Sequence, residues 1–118
     1  MKDTIFTISE TDLASRYSAA RLRARVEDAL AQTDAVIIDL KAVLSISESY
    51  ADELFGVFAA RHGLEELVRR IHIRNASESA LVSIASAVKQ RLNENAGGPD
   101  IALLAARKAL ELRRQSAR

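Results

Sequence analysis

Cysteine is absent from this chain of 118 residues, which excludes disulfides and thiolate chemistry and leaves the redox compartment open. Aromatic residues make up only 4% of it, too few for a platform on which single-stranded nucleic acid would stack its bases. Glycine is sparse: Gly56 and Gly63 stand alone, Gly97-Gly98 is a single pair, and none has the spacing of a P-loop or a dinucleotide-binding turn. Neither charge sign dominates. With 17 Lys and Arg against 16 Asp and Glu the formal net charge is +1, so no global positive potential draws the chain onto nucleic acid or an anionic membrane. No apolar run approaches the roughly 20 residues needed to span a bilayer, and the opening MKDTIFTISETD lacks a signal-like apolar region, so the expected compartment is the cytoplasm. His62 and His72 have no Cys partners and no ligand spacing, so no metal or cofactor is expected. Serines are plentiful, but no local Ser, His and acid set forms a catalytic triad.

What remains is a chain that is 48% hydrophobic and 28% charged, enough to bury one domain core. Its most informative stretch is VIIDLKAVLSISESYADELFGVF, Val36 to Phe58. Val36 to Leu40 places four aliphatic residues around Asp39, the pattern of a strand covered on both faces. Asp39 itself reads as a hydrogen-bonded residue at the strand end. Tyr50, Ala51, Leu54, Phe55, Phe58 and Ala59 then form the stripe that a helix buries against a sheet. Ser49 and Glu53, like Glu48 and Asp52, are four apart, so the helix start reads as an acidic, hydroxylated knob. Capping offers a second reading, because Ser49 and Asp52 have the spacing of a capping box and first-turn acids complement the helix dipole.

Asp39-Leu40, Val43, Ile46 and the run Ser47-Glu48-Ser49-Tyr50-Ala51-Asp52-Glu53-Leu54-Phe55-Gly56 resemble the signature of the STAS-like family of uncharacterised bacterial domains, related to the STAS domains of anti-sigma factor antagonists. The resemblance extends, at the level of pattern, from about Ser15 to Leu92. It implies an α/β fold, a small mixed sheet of three or four strands with flanking helices. It also implies a STAS-like domain over residues 1–95, with 96–118 as a C-terminal helix packed on or extending it. In the antagonists a strand and turn lead to an Asp-Ser-Ser-Gly type motif whose Ser is phosphorylated by a partner kinase. Matched on Ile46, Ser47 takes the Asp position, Glu48 the phosphoacceptor position, Ser49 the next Ser and Tyr50 the Gly. A carboxylate at Glu48 supplies a permanent charge where the relatives acquire one.

Along the rest of the chain, Thr4 to Ile8 reads as a short strand. Thr11 or Asp12 reads as the cap of a first helix reaching about Gln32, basic through Arg16, Arg21, Arg23 and Arg25, whose charges pair with Glu27 and Asp28 on an exposed face. Arg70 to Asn75 reads as a strand completing a βαβ unit with Val36 to Leu40. Ser77 reads as the cap of a helix whose apolar stripe is Leu81, Ile84, Ala85, Val88 and Leu92. Gly97-Gly98-Pro99 breaks the chain, and Asp100 opens a last helix to about Arg114 that has apolar residues on two sides.

These readings describe a non-enzymatic signalling module that docks a protein. The resemblance implies an ATPase or histidine-kinase-like partner, met by Ser47, Glu48, Ser49, Asp52 and Glu53, with Ser47 and Ser49 as candidate phosphorylation sites. Phosphate there is expected to weaken docking to an acidic partner surface. The alternative is a structural subunit that forms a homodimer through its last helix.

Overall fold

A computed structural model describes residues 3–96, and in it the elements run β1 (Asp3–Thr7), β2 (Asp12–Leu13), α1 (Arg16–Leu30), β3 (Ala35–Asp39), β4 (Ser45–Ile46), α2 (Glu48–Ala51), a π-helical turn (Asp52–Gly56), α3 (Val57–His62), α4 (Leu64–Arg70), β5 (Ile71–Arg74) and α5 (Glu78–Ala96). The expected last helix and the Gly97-Gly98-Pro99 breaker lie outside the described residues.

The apolar run at Val36 becomes the central strand of a sheet ordered β1-β3-β5, and both pairings are parallel. Parallel neighbours need long connections, and the helices between the strands supply them. Register puts Thr4, Val36 and Ile71 in one row and Phe6, Ile38 and Ile73 in another, all on one face. Val36 and Ile38 are fully buried there, and the guanidinium of Arg25 lies 5.1 Å from the Phe6 ring, so α1 covers the β1 side. Cover on both faces was expected of so apolar a strand. Among the described residues the opposite face carries exposed Ile5 and His72 and half-buried Ile37, so the helices lie on one side of the sheet.

A second, two-stranded sheet pairs β2 with β4 in parallel and corrects the first helix start. Asp12 and Leu13 are consumed by this ladder, and α1 begins at Arg16, capped by Ser15, whose hydroxyl accepts from the Ser18 amide. Thr11 and Asp12 therefore do not cap it. The expected stripe of α5 is also displaced: Ala80, Ile84, Ala87 and Val88 are buried and Leu81 is 47% exposed. Ser77 does cap α5, accepting from the Ala80 amide.

The helix after β4 keeps its expected core stripe without deviation. Tyr50, Ala51, Leu54, Phe55, Phe58 and Ala59 are all buried. Its backbone is unusual, however, because a π-helical turn interrupts it at Asp52–Gly56. The apolar pairs recur strictly every four residues, and in an α-helix each such step drifts by about 40° around the axis. A wider π turn rotates the stripe back, so all three pairs face the core. At Gly56, α5 comes close: a β-carbon there would stand 3.2 Å from the Ala87 carbonyl and 3.3 Å from Cβ of Arg91. Gly63, at φ 95°, then adopts a backbone that L side chains avoid and turns α3 into α4.

Candidate functional site

The turn before α2 is built by hydrogen bonds to the segment before α1. Leu44 and Ser45 donate their amides to the Thr11 carbonyl at 2.7 and 3.1 Å, and Ser47 donates its amide to Leu13 at 2.8 Å. The Ser45 hydroxyl donates to Asp12 at 2.6 Å. This lacing sets the starts of α1 and α2 next to each other.

Ser47 holds the junction. Its Oγ accepts from the Tyr50 amide and donates to the Ala14 carbonyl, each at 3.0 Å, so both hydrogen-bonding capacities of the hydroxyl are in use. The capping-box reading placed this role on Ser49; the cap lies two residues earlier, because the helix starts at Glu48. Ser49 is exposed, and its hydroxyl has no partner among the described residues. Glu48 is exposed beside it, in the first turn where a carboxylate complements the helix dipole.

Asp52 and Glu53 behave differently. Asp52 accepts from Arg91 through Nε at 3.0 Å and Nη2 at 2.5 Å, and from Arg16 at 2.9 Å. Glu53 accepts from Arg16 at 3.0 Å and from Arg23, whose Nη1 also donates to the Glu53 carbonyl at 2.6 Å. Their side chains are only 22% and 16% exposed. The Arg91 guanidinium, then Arg16, holds the Asp52 carboxyl below its ordinary range, and Arg23, then Arg16, does the same for Glu53. Both carboxylates therefore join α1, the π turn and α5 into one unit, and with Ser47 engaged in its cap, Glu48 and Ser49 remain as the outward part of the five-residue surface.

Sequence reasoning treated Arg23 as one of a solvated set, yet it is 8% exposed and sits in the buried stripe Ala19, Leu22, Arg23, Val26, Leu30. A lone Arg in an apolar stripe is the signal that an acid must meet it. Its Nε, without a hydrogen bond, faces Glu27 at 3.8 Å. Burial, with Glu10 as the lesser cause, pushes the Tyr50 phenol up to about 12.

Other candidates resolve into structural roles. Asp39 accepts from the Lys41 amide at 3.0 Å and the Asn75 side chain at 3.1 Å, the hydrogen-bonded strand end that was expected. Those contacts, Asn75 first, lower its pKa. His62 meets Glu27 at 2.7 Å and packs on Phe58 in a cleft also lined by Leu30, Ala31, Glu66 and Arg70. Arg70 there donates to the carbonyls of Leu30, Thr33 and Asp34, finishing α1, so the polar groups of the cleft satisfy one another. Among the described residues no three His, Cys, Asp or Glu gather to hold a metal, and no helix is long and apolar enough to cross a membrane.

A parallel sheet whose β3 leads through a laced turn to a capped helix start defines a small α/β domain of STAS-like type. A family model described as a STAS-like domain of unknown function matches residues 18–80, and the chain belongs to that family. No curated protein matches it, and no solved structure does.

Proposed function

We propose that this domain works by protein contact, as a non-catalytic signalling module resembling the anti-sigma factor antagonists, and that it meets an ATPase or histidine-kinase-like partner through the start of α2. The observation that carries this reading is the division of labour among the five residues. Asp52 and Glu53 fasten the helix to its neighbours through arginines, Ser47 fastens its cap, and Glu48 and Ser49 are left facing outward on an immobilised backbone. A fixed, exposed helix start lowers the entropy that binding must overcome. Site-specific photo-crosslinking tests it: a crosslinker at Ser49 is expected to trap a protein partner that one at Lys89, exposed on α5, does not. Equal trapping at both positions overturns the reading.

Phosphoregulation belongs to the same proposal, with Ser49 as the favoured acceptor. Its hydroxyl is exposed and unengaged, whereas phosphate on Ser47 would forfeit the cap and the bond to Ala14. Incubation with histidine-kinase-like ATPases and ATP, followed by mass spectrometry, is expected to find phosphate on Ser49; phosphate found only elsewhere removes this part.

A further inference from the structure

Leu44 is 75% exposed, yet its backbone is fixed. Its amide donates to Thr11, its predecessor Val43 is buried at 5% exposure, and the next two residues form the β4 ladder. A leucine on a loose loop says little, but one held rigidly in water is a preorganised apolar anchor. Charges around it are uneven. Glu48 is exposed, Asp12 is exposed and bonded through one oxygen to Ser45, and Glu10 is exposed next to Thr11, whose carbonyl accepts from the Leu44 amide; none of the three has an ion-pair partner among the described residues. Arg16, the nearby cation at the start of α1, is committed to Asp52 and Glu53, which leaves Lys41 as the opposing charge on the Leu44 loop.

Resting on the docking reading above, we infer that the partner presents a basic segment: an apolar pocket or side chain that receives Leu44, flanked by Lys or Arg that meet Glu10, Asp12 and Glu48. An acidic tip disfavours polyanions, so nucleic acid and anionic lipid do not fit it. The sign of phosphoregulation also changes. Because arginines already neutralise Asp52 and Glu53, phosphate on Ser49 adds to a net acidic tip and tightens contact with a basic partner, contrary to the expectation drawn from sequence.

The test uses the full chain, immobilised, to select peptides from a random display library. Selected peptides are expected to be rich in Lys and Arg around a large apolar residue. They are expected to shift the NMR signals of Leu44, Glu48 and Ser49, and to lose affinity about tenfold on Leu44→Ser and on Glu48→Lys. Both substituted side chains are exposed, so circular dichroism should match the parent for both, and melting should match it for Leu44→Ser and fall slightly for Glu48→Lys, which reverses a charge that complements the helix start. Acidic or neutral peptides that shift the same residues overturn the basic-partner inference and spare the docking site. Peptides that map elsewhere overturn the docking reading as well, and so does the absence of any enriched sequence. Light scattering on the chain alone identifies a second copy as the occupant if Leu44→Ser converts a dimer to monomer, which also overturns the inference.

Discussion

Gly56→Ala tests the packing of the π turn, because here the usual sign of the substitution reverses. In an ordinary helix interior, replacing Gly by Ala stabilises by about 1 kcal/mol, since the glycine backbone gives up more freedom on folding. At Gly56 the added carbon would stand 2.6 Å from Oδ1 of Asp52, as well as against the Ala87 carbonyl and Arg91. Asp52 cannot swing away freely, because Arg91 grips it with two nitrogens and Arg16 with a third. Moving it weakens charge-assisted hydrogen bonds of about 1.5 to 3 kcal/mol, and overpacking against α5 adds about 1 to 3 kcal/mol. Against the helix gain, a net loss of about 2 kcal/mol is expected. For a domain of this size that corresponds to a melting temperature lower by roughly 8 to 16 °C. Urea unfolding of the parent, Gly56→Ala, Asp52→Ala and the double variant measures both the loss and its source. The double variant should be more stable than the sum of the single effects implies, because removing the carboxylate empties the space that the methyl group needs. A Gly56→Ala protein as stable as the parent, or more so, would refute the reasoning.

Ser47→Ala should cost about 1 kcal/mol by urea unfolding, the worth of a helix cap, while Ser49→Ala should stay within about 0.5 kcal/mol; the reverse order would restore the capping-box assignment. Arg23→Ala leaves the Glu53 carboxylate to Arg16 alone and takes the donor from the Glu53 carbonyl, so a loss of about 2 to 3 kcal/mol is expected in the same assay. Acid should destabilise through Asp52 and Glu53. Their folded pKa values lie below the unfolded ones, so their contribution is complete above the unfolded carboxylate range, near pH 4, and is lost as pH falls through the folded values. The urea midpoint of an Asp52→Asn, Glu53→Gln variant should therefore fall less steeply below about pH 4 than that of the parent.

Much of this architecture was written in local patterns. Four aliphatic residues around Asp39 read as an inner strand, and its pairing with Ile71–Arg74 follows because the helical segment between them is long enough for a parallel return. The stripe from Tyr50 to Ala59 announced its buried face residue by residue. The β2–β4 ladder was not legible, since two-residue strands leave no periodicity, and Asp12 looks like a cap to any rule that reads neighbours only. The ion pairs were hidden for a different reason. Arg16 and Arg91 lie 36 and 39 positions from Asp52, and distance along the chain carries no trace of contact across it. Only Arg23, misplaced on an apolar stripe, left a signal, and it points to the acid that later proved to be Glu53.

That same geometry bears on how a contact at the tip would reach the rest of the molecule. Arg16 touches both Asp52 and Glu53, Arg91 shares Asp52 from α5, and Arg23 shares Glu53 from inside α1. New charge one helical turn before these carboxylates, at Ser49, competes for Arg16 first, because Arg16 is the most exposed of the three arginines at 49%. Arg23 and Arg91 would keep their partners, since their guanidinium groups are more deeply placed and each holds a carboxylate through its own bonds. If the start of α2 docks a partner as proposed, the network would let it gain charge at Ser49 while the π turn and α5 stay fastened, so the rigidity of the helix start would survive phosphorylation there.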